Sequence, residues 1–252
     1  MDAMYHIGFD DRHGAKYAIL PGDPGRVPAI AEHFVGPRFY HQNREYTTWL
    51  GELCGEKVLV MSTGMGGPST AIGVEELYKT GVRTFIRVGT CGGMQSEIVG
   101  GDIVVATGAI RMDGASKEYT PIEFPAVPDL QVTNALVASA RALNYNCHHG
   151  VVQCKDSFYG QHDPGRMPIA GELEAKWEAW IRAGCLASEM ESATLFILGS
   201  FLRARTGCVL SVVWNQERAK LGLSNPEVHD TTGAIRTAVE AVRALIAADR
   251  GA

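Results

Sequence analysis

Short hydrophobic runs rich in β-branched residues alternate along the chain with longer amphipathic segments. The short runs predict strands, and the segments with apolar residues every three or four positions predict helices. Strands are expected at residues 17–20, 45–53, 57–62, 84–88, 102–107, 150–154 and 208–213. Helices are expected at residues 27–34, 68–80, 131–143, 173–183, 192–203 and 232–247. This alternation favours an α/β fold in which helices cover a parallel or mixed sheet.

Proline and glycine fall singly at the predicted turns, and no low-complexity or repeated segment divides the chain. We therefore expect one domain over residues 1–252. The formal net charge of −5 argues against a broad basic face, so neither nucleic acid nor an anionic membrane is expected as a partner. No apolar run is long enough to cross a bilayer and no leader opens the chain, which favours a soluble cytoplasmic protein.

The cysteines and histidines give no sign of a metal site. The six cysteines are scattered and form no C-x-x-C pair, so neither a zinc knuckle nor a redox dithiol is indicated. His148 and His149 are adjacent, and neighbouring side chains of a strand point to opposite faces. Because no third ligand lies nearby in sequence, metal binding by this pair is not expected.

The first segment with candidate chemistry is a proline- and glycine-rich turn at residues 21–26, between the first strand and the first helix. In such sheets, ligands bind beyond the carboxyl ends of the strands, where turns of this kind lead into helices. Free backbone N–H groups of the turn and the guanidinium of Arg26 suit an anion. A stiff turn followed by a solvated arginine explains the segment equally well.

Arg87 lies at the end of an otherwise apolar predicted strand and is followed by small residues at 88–93. A buried arginine is costly unless it meets an anion or an acidic side chain. An anion site and a structural salt bridge therefore both remain open. The glycines of this segment do not match the spacing G-x-G-x-x-G and no helix follows, which argues against a dinucleotide site.

Two further segments carry paired charges. Arg44 and Glu45 lie on a predicted alternating strand, so their side chains face opposite ways, as they would on an ordinary edge strand. Glu189 and Glu191 precede an apolar predicted helix, where acidic residues favour the helix N-terminus. A sugar site would use the same carboxylate to accept hydrogen bonds from paired hydroxyls.

Five motifs together resemble one known family. They are PGDPxR at residues 21–26, NREYTTW at 43–49, STGMGGPS at 62–69, RxGT at 87–90 and EMESA at 189–193. In this order the chain resembles the nucleoside phosphorylase-I family from about residue 5 to residue 245, and most closely its members that act on uridine. The resemblance implies a three-layer α/β/α fold with a mixed, partly closed central sheet. It also implies a homo-oligomer, in which dimers usually stack into hexamers.

The resemblance further implies roles for particular residues. Phosphate, the co-substrate, would be held by Gly22, Arg26, Arg87, Gly89 and Thr90, with Arg44 arriving from the neighbouring subunit. Ribose would be bound by Thr90, Glu189, Met190 and Glu191, with His6 of the neighbour at the 5′ hydroxyl. Glu45 and Ser69 resemble the residues that hold a monovalent cation, potassium, at the dimer interface of some members. No organic cofactor is implied.

The leaving base would be read by residues 157–161, which resemble the pyrimidine-binding segment of the members that act on uridine. Phe158 would stack on the ring. The amide of Gln161 offers one donor and one acceptor, which suits the adjacent N3–H and carbonyl of uracil. A loop aromatic anchored in the core is the alternative for Phe158.

The chain departs from those members at the base. Asp163 and Gln216 stand where they usually carry arginines. Arg166 and Arg218 lie a few residues further on and are candidates for the missing charge, so they are expected at the base with Gln216. Residues 212–215 lack the aspartate with which purine-specific members protonate the leaving base, which favours a pyrimidine.

The expected reaction is phosphorolysis of uridine to uracil and ribose 1-phosphate. A purine nucleoside phosphorylase would share every phosphate and ribose motif, so only the base end separates the two. A hydrolytic nucleosidase would need no phosphate site, and the three arginines argue against it. A nucleoside-binding sensor without turnover is the alternative of a different class, and Glu191 together with the arginines argues against it.

Overall fold

Each strand and helix that the hydrophobic pattern predicts is present in the computed structural model, which describes residues 2–251. The strands are β1 (Tyr17–Pro21), β2 (Val35–Asn43), β3 (Tyr46–Leu53), β4 (Glu56–Met61), β5 (Thr84–Gly93), β6 (Ile103–Met112), β7 (Cys147–Lys155), β8 (Ala187–Glu189) and β9 (Arg205–Asn215). The α-helices are α1 (Arg26–Ala31), α2 (Gly67–Lys79), α3 (Ala115–Tyr119), α4 (Leu130–Ala142), α5 (Phe158–His162), α6 (Ala170–Arg182), α7 (Ser192–Leu202), α8 (Gln216–Lys220) and α9 (Thr232–Gly251). Two short 3-10 turns span Asp11–His13 and Pro164–Arg166.

The strands form one mixed sheet in the order β2-β3-β4-β1-β5-β8-β7-β6-β9. β9 also pairs in parallel with β5, from Thr84 opposite Arg205 to Gly93 opposite Asn215. This second pairing closes β5, β8, β7, β6 and β9 into a ring, from which β1, β4, β3 and β2 extend as an open sheet. The expected mixed, partly closed sheet is confirmed.

Hydrophobic side chains fill both faces of the open part of the sheet. In β1, Ala18 and Leu20 pack into the core that α2 and α7 cover. The alternate residues Tyr17 and Ile19 pack into a second core beneath α1, α4 and α9. Because successive side chains of a strand point to opposite faces, an almost wholly apolar strand is buried from both sides. The helices therefore form two outer layers around the sheet, as expected.

Two local expectations are wrong, and two strands were not predicted. Arg44 and Glu45 form the turn of the β2–β3 hairpin and are not strand residues, and Arg44 has a φ of 52°. Arg87 lies inside β5 because pairing with β1, β8 and β9 carries that strand on to Gly93. The pattern also missed β2, which is mostly exposed, and β8, which has three residues. Neither strand offers a hydrophobic alternation long enough to detect.

Other features of the described chain bear on function classes. No helix within residues 2–251 is long and apolar enough to cross a bilayer. Burial raises the pKa of the Cys91, Cys154 and Cys208 thiols. These cysteines are packing groups, because the thiolate is the reactive form. His148, a metal-ligand candidate from the sequence, contacts an acidic side chain: its Nε2 lies 3.0 Å from Oδ2 of Asp102.

Candidate active site

A cavity of about 870 Å³ opens where the carboxyl ends of β1 and β5 meet the start of α7. Turns and strand ends that are far apart in sequence build its wall. The lining includes Gly22, Asp23, Arg26, Gly64, Arg87, Thr90, Lys155, Phe158, His162, Ser188, Glu189, Met190 and Glu191. Four of the five sequence motifs therefore contribute residues to one cavity.

Arg87 is a deeply buried cation of this cavity, with 6% of its surface exposed. Its Nε donates to Glu189 at 3.2 Å, and its Nη2 contacts Glu191. The third nitrogen, Nη1, is buried and has no hydrogen-bond partner within residues 2–251. Burial acts to lower the pKa of Arg87, but the two carboxylates outweigh it and raise the pKa. Arg87 is thus both a salt-bridge partner and a cation with a free donor.

The turn that follows β1 comes close to this free donor. A Cβ atom on Gly22 would lie 3.9 Å from Nη1 of Arg87 and 3.0 Å from the carbonyl oxygen of Gly64. The absence of a side chain at Gly22 therefore leaves room beside the guanidinium. Oδ1 of Asp23 accepts a hydrogen bond from the N–H of Gly25 at 2.8 Å and shapes the turn.

Arg26 adds a second guanidinium to the same end of the cavity. Burial lowers its pKa, Asp23 raises it and Arg87 lowers it further. Two arginines that disfavour each other's charge become favourable neighbours once an anion lies between them. The geometry accordingly supports the anion-binding alternative for both arginines.

A glycine beside Arg87 makes the position of the guanidinium possible. A Cβ atom at Gly89 would lie 2.7 Å from Nη2 of Arg87 and 2.9 Å from Cδ2 of Leu210. Both separations are far below van der Waals contact, so a side chain at residue 89 would displace the guanidinium. Thr90, the next residue of β5, lines the cavity and is half-buried.

The two carboxylates near Arg87 have different tasks. Glu189 accepts hydrogen bonds from the N–H groups of Glu191 (2.9 Å) and Ser192 (3.0 Å) and from the Ser192 hydroxyl. It therefore caps α7. Glu191 occupies the N-cap position but makes no cap bond. Both residues lie at the start of α7, where Glu189 makes the cap bonds and the side chain of Glu191 makes none.

Glu191 instead faces the cavity. Its Oε1 accepts a hydrogen bond from the N–H of Gly66 at 2.5 Å, and its Oε2 contacts Arg87. Gly66 has a φ of 92°, a conformation that side chains disfavour, which explains the glycine there. Burial raises the pKa of Glu191, while Arg87 acts to lower it. Met190 lies beside it in the cavity wall.

The far end of the cavity carries the predicted aromatic. Phe158 begins α5 and is 50% exposed, with its ring centroid 4.3 Å from that of His162. Burial and then the charge of Lys155 lower the pKa of His162. Phe158 is thus free to contact a ligand, and it is not anchored in the core.

Gln161 and Gln216 line a second cavity of about 890 Å³, which adjoins the first at Lys155. Nε2 of Gln161 lies 3.4 Å from Oε1 of Gln216. Oε1 of Gln161 accepts a hydrogen bond from the hydroxyl of Ser188 at 2.6 Å, and Ser188 lines the first cavity. Phe158 and Gln161, three residues apart on α5, therefore line adjoining cavities that share Lys155.

The two arginines expected to supply charge at the base do not line either cavity. Nε of Arg166 pairs with Asp163 at 2.9 Å, and both side chains are 59% exposed. Arg218 donates to the carbonyl oxygens of Ser224, at 2.7 Å, and of Ser96. Each guanidinium is held by partners of its own, and a role of Arg166 or Arg218 at the base stays a prediction.

The sequence was compared with known proteins. It matches the Phosphorylase superfamily over residues 16–248. This chain belongs to that superfamily. It is 58% identical to a uridine phosphorylase of Treponema pallidum (strain Nichols), covering 98% of this chain and 96% of the relative. It is 40% identical to a uridine phosphorylase of Escherichia coli (strain K12), covering 96% and 98%. A guanosine phosphorylase of Halorubrum lacusprofundi is 38% identical over 95% of this chain and 98% of the relative.

The residues of this superfamily member that were predicted for a subunit interface do not line the first cavity: His6, Arg44, Glu45 and Ser69. Nδ1 of His6 lies 2.7 Å from Glu76, and the carbonyl oxygen of His6 accepts a hydrogen bond from Asn43 at 2.8 Å. Asn43 precedes Arg44, so His6 and the hairpin turn lie on the same side of the molecule. Glu45 and Ser69 also come together, because Cγ and Oγ of these residues lie 3.1 Å and 3.4 Å from a Cβ built on Gly64.

Sequence reasoning missed Lys155 and Ser188 in this member of the superfamily. Nζ of Lys155 donates to Oγ of Ser188 at 2.6 Å, and both residues are almost fully buried. A lysine that ends the strand at residues 147–155 was the available signal. A cation directly after an apolar run stands where ligands bind in an α/β sheet.

Proposed function

We propose that the chain is a uridine phosphorylase, which converts uridine and inorganic phosphate to uracil and ribose 1-phosphate. The observation that carries the proposal is the buried, unpartnered Nη1 of Arg87, next to Arg26 and the Gly22 turn. A buried donor without a partner costs free energy, and an anion in the cavity would remove that cost. The 58% identical relative named uridine phosphorylase supports the choice of nucleoside.

The reaction follows from the order of charges along the cavity. As the bond between C1′ and N1 breaks, its electron pair moves to the base and the sugar becomes cationic. A phosphate oxygen then forms the new bond to C1′, and the proton that phosphate gives up ends on uracil. Phosphate needs no general base, so positioning by Gly22, Arg26, Arg87, Gly89 and Thr90 supplies much of the acceleration.

Ribose lies between the phosphate and the base. Glu191 accepts hydrogen bonds from the 2′ and 3′ hydroxyls, and its negative charge stabilises the cationic sugar. Met190 and Thr90 pack against the ring. Glu189 acts indirectly, because it caps α7 and accepts a hydrogen bond from Nε of Arg87.

The site is completed by a second subunit in this proposal. Arg44 and His6 reach the phosphate and the 5′ hydroxyl of the neighbour's ligand, in dimers that stack into a hexamer. Their location on one side of the molecule, outside the cavity of their own chain, supports a shared site. Glu45 and Ser69 hold potassium at the same interface, an assignment supported by their common approach to Gly64.

Uracil lies against Phe158, within reach of Gln161 and Gln216. A purine nucleoside phosphorylase is the second candidate, since the relative from Halorubrum lacusprofundi is named guanosine phosphorylase. The absence of an aspartate at residues 212–215 favours the pyrimidine. The two arginines at the anion end, Arg26 and Arg87, argue against a hydrolase, which would need no phosphate site. They also argue against a sensor without turnover.

The direct test is phosphate dependence. Purified protein and uridine in phosphate-free buffer should release almost no uracil, and added phosphate should restore the release, followed by ultraviolet absorbance. Ribose 1-phosphate should form in equal amount. Equal rates in both buffers would mean hydrolysis, and no uracil in either buffer would leave the sensor or the purine enzyme.

A further inference from the structure

The base end of the first cavity contains one deeply buried cation. Among residues 2–251, the lysines and arginines that line this cavity are Arg26, Arg87 and Lys155. Arg26 and Arg87 lie at the anion end, beside the Gly22 turn. Lys155 lies with Phe158 and Ser188, and 4% of its surface is exposed. Lys155 is therefore a third cation of this cavity, in contact with Ser188.

Two strands fix the lysine in this position. Gln153 and Lys155 are two residues apart on β7, so their side chains share one face of the strand. Ser188 of β8 lies directly opposite Gln153 in the parallel pairing. Nζ of Lys155 donates to Oγ of Ser188 at 2.6 Å. An ammonium has three N–H donors, and Ser188 takes one of them, which leaves two for a ligand.

The surroundings balance the charge of Lys155. Burial lowers the pKa of this lysine, while the carboxylates of Glu189 and Glu191 act to raise it. Its other charged or titratable neighbours are Cys91, Cys154 and His162. A buried ammonium with no carboxylate in hydrogen-bond contact gains most from a ligand that becomes negative in the same cavity.

We propose that Lys155 is a catalytic residue that stabilises the negative charge on the pyrimidine as the bond between C1′ and N1 breaks. This inference rests on the proposed uridine phosphorylase activity. The electron pair of that bond spreads over N1 and the two carbonyl oxygens of uracil. The ammonium of Lys155 donates a hydrogen bond to this anion and remains protonated. The base then takes up the proton that phosphate gives up on forming its bond to C1′.

Ser188 couples the lysine to the amides. Its Oγ lies 2.6 Å from Oε1 of Gln153 and 2.6 Å from Oε1 of Gln161. Because Lys155 donates to Oγ, the single hydroxyl proton must point toward one of the two amides. Lys155 thus makes Ser188 a donor to Gln153 or Gln161.

The test compares uridine with 5-fluorouridine, whose leaving base carries negative charge more easily. Lys155→Met should lower kcat/KM for uridine by about tenfold to a hundredfold, as expected for a lost charged hydrogen bond. The loss for 5-fluorouridine should be several times smaller, because the fluorine already stabilises the anion. Lys155→Arg, which keeps a charge, should recover part of the uridine activity. Lys176→Met, on the exposed face of α6, is the matched control and should stay within about twofold.

Thermal melting of each variant checks the fold. If Lys155→Met does not fold, Lys155→Gln takes its place, since glutamine is neutral but can still donate to Ser188. Equal losses on both nucleosides, or no loss on uridine, would overturn the role of Lys155. Failure of the wild-type protein to release uracil with phosphate would instead overturn the proposed function. The same assay separates these two results.

Discussion

Glu191→Gln separates the catalytic part of the site from its structural part. The carboxylate of Glu191 has two acceptor oxygens, one at the N–H of Gly66 (2.5 Å) and the other at Nη2 of Arg87. A glutamine amide has only one acceptor oxygen, so one of these donors must lose its partner. The substitution also removes the negative charge that supports a cationic sugar.

The magnitude follows from that single lost contact. A hydrogen bond to a charged group is worth about 1.5–3 kcal/mol, which corresponds to about a tenfold to hundredfold fall in kcat/KM. The same loss would lower the melting temperature by about 3–12 °C in a chain of this size. The cap of α7 stays intact, because Glu189 provides it.

Glu189→Gln is the matched control. It weakens the helix cap and the bond to Nε of Arg87 together, so its melting temperature should fall further than that of Glu191→Gln. Steady-state kinetics with uridine and differential scanning calorimetry give both quantities for each variant. A larger fall in melting temperature for Glu191→Gln than for Glu189→Gln, with activity retained, would refute the assignment of Glu191 to the sugar.

Three further predictions test other parts of the site. Gly89→Ala should displace Arg87 and so raise the KM for phosphate by about tenfold or more. Gly108→Ala, at a strand glycine with room for a Cβ atom, is the control. An unchanged KM for Gly89→Ala would contradict the packing argument. Co-expressed Arg44→Ala and Arg26→Ala subunits should regain about a quarter of the wild-type sites if they pair randomly in a two-fold dimer. Arg26 is the residue to substitute in this test, because Arg87 also neutralises two buried carboxylates. Mixed dimers without activity would rule out a shared site. Uridine should be cleaved at least about tenfold faster than inosine in an ultraviolet assay, because a mismatched base leaves buried polar groups unpaired. A preference for inosine would assign the protein to the purine enzymes.

Much of the fold and of the anion end could be predicted from the chain. The periodicity of apolar residues is a local property, so the strands and helices with strong alternation were found near their observed positions. The glycine turn at residues 21–26 and Arg87 were found because glycine and a buried arginine are unusual in their local setting. The weakly patterned β2 and the short β8 gave no such signal.

The contact partners of these residues could not be predicted, because strand pairing between distant segments of the chain brings each partner into place. The sequence alone left open whether Arg87 meets an anion or a carboxylate, and in the structure two of its nitrogens face Glu189 and Glu191 while Nη1 stays free. For Lys155 it offered only a cation at the end of a strand, and the contacts with Ser188 and the cavity shared with Phe158 appear only in the structure.

By itself, the sequence determined most of the strands and helices, where the turns permit close approach, and which side chains are too costly to bury without a partner. The tertiary structure decided the rest: the pairing of β9 with both β5 and β6, the cap of α7 by Glu189 and not Glu191, and the meeting of Lys155, Ser188 and Gln161. The physical reason is that conformational preferences and hydrophobic patterning act over a few neighbouring residues. The energy of a buried charge, by contrast, depends on whichever groups the folded chain places within a few ångströms of it.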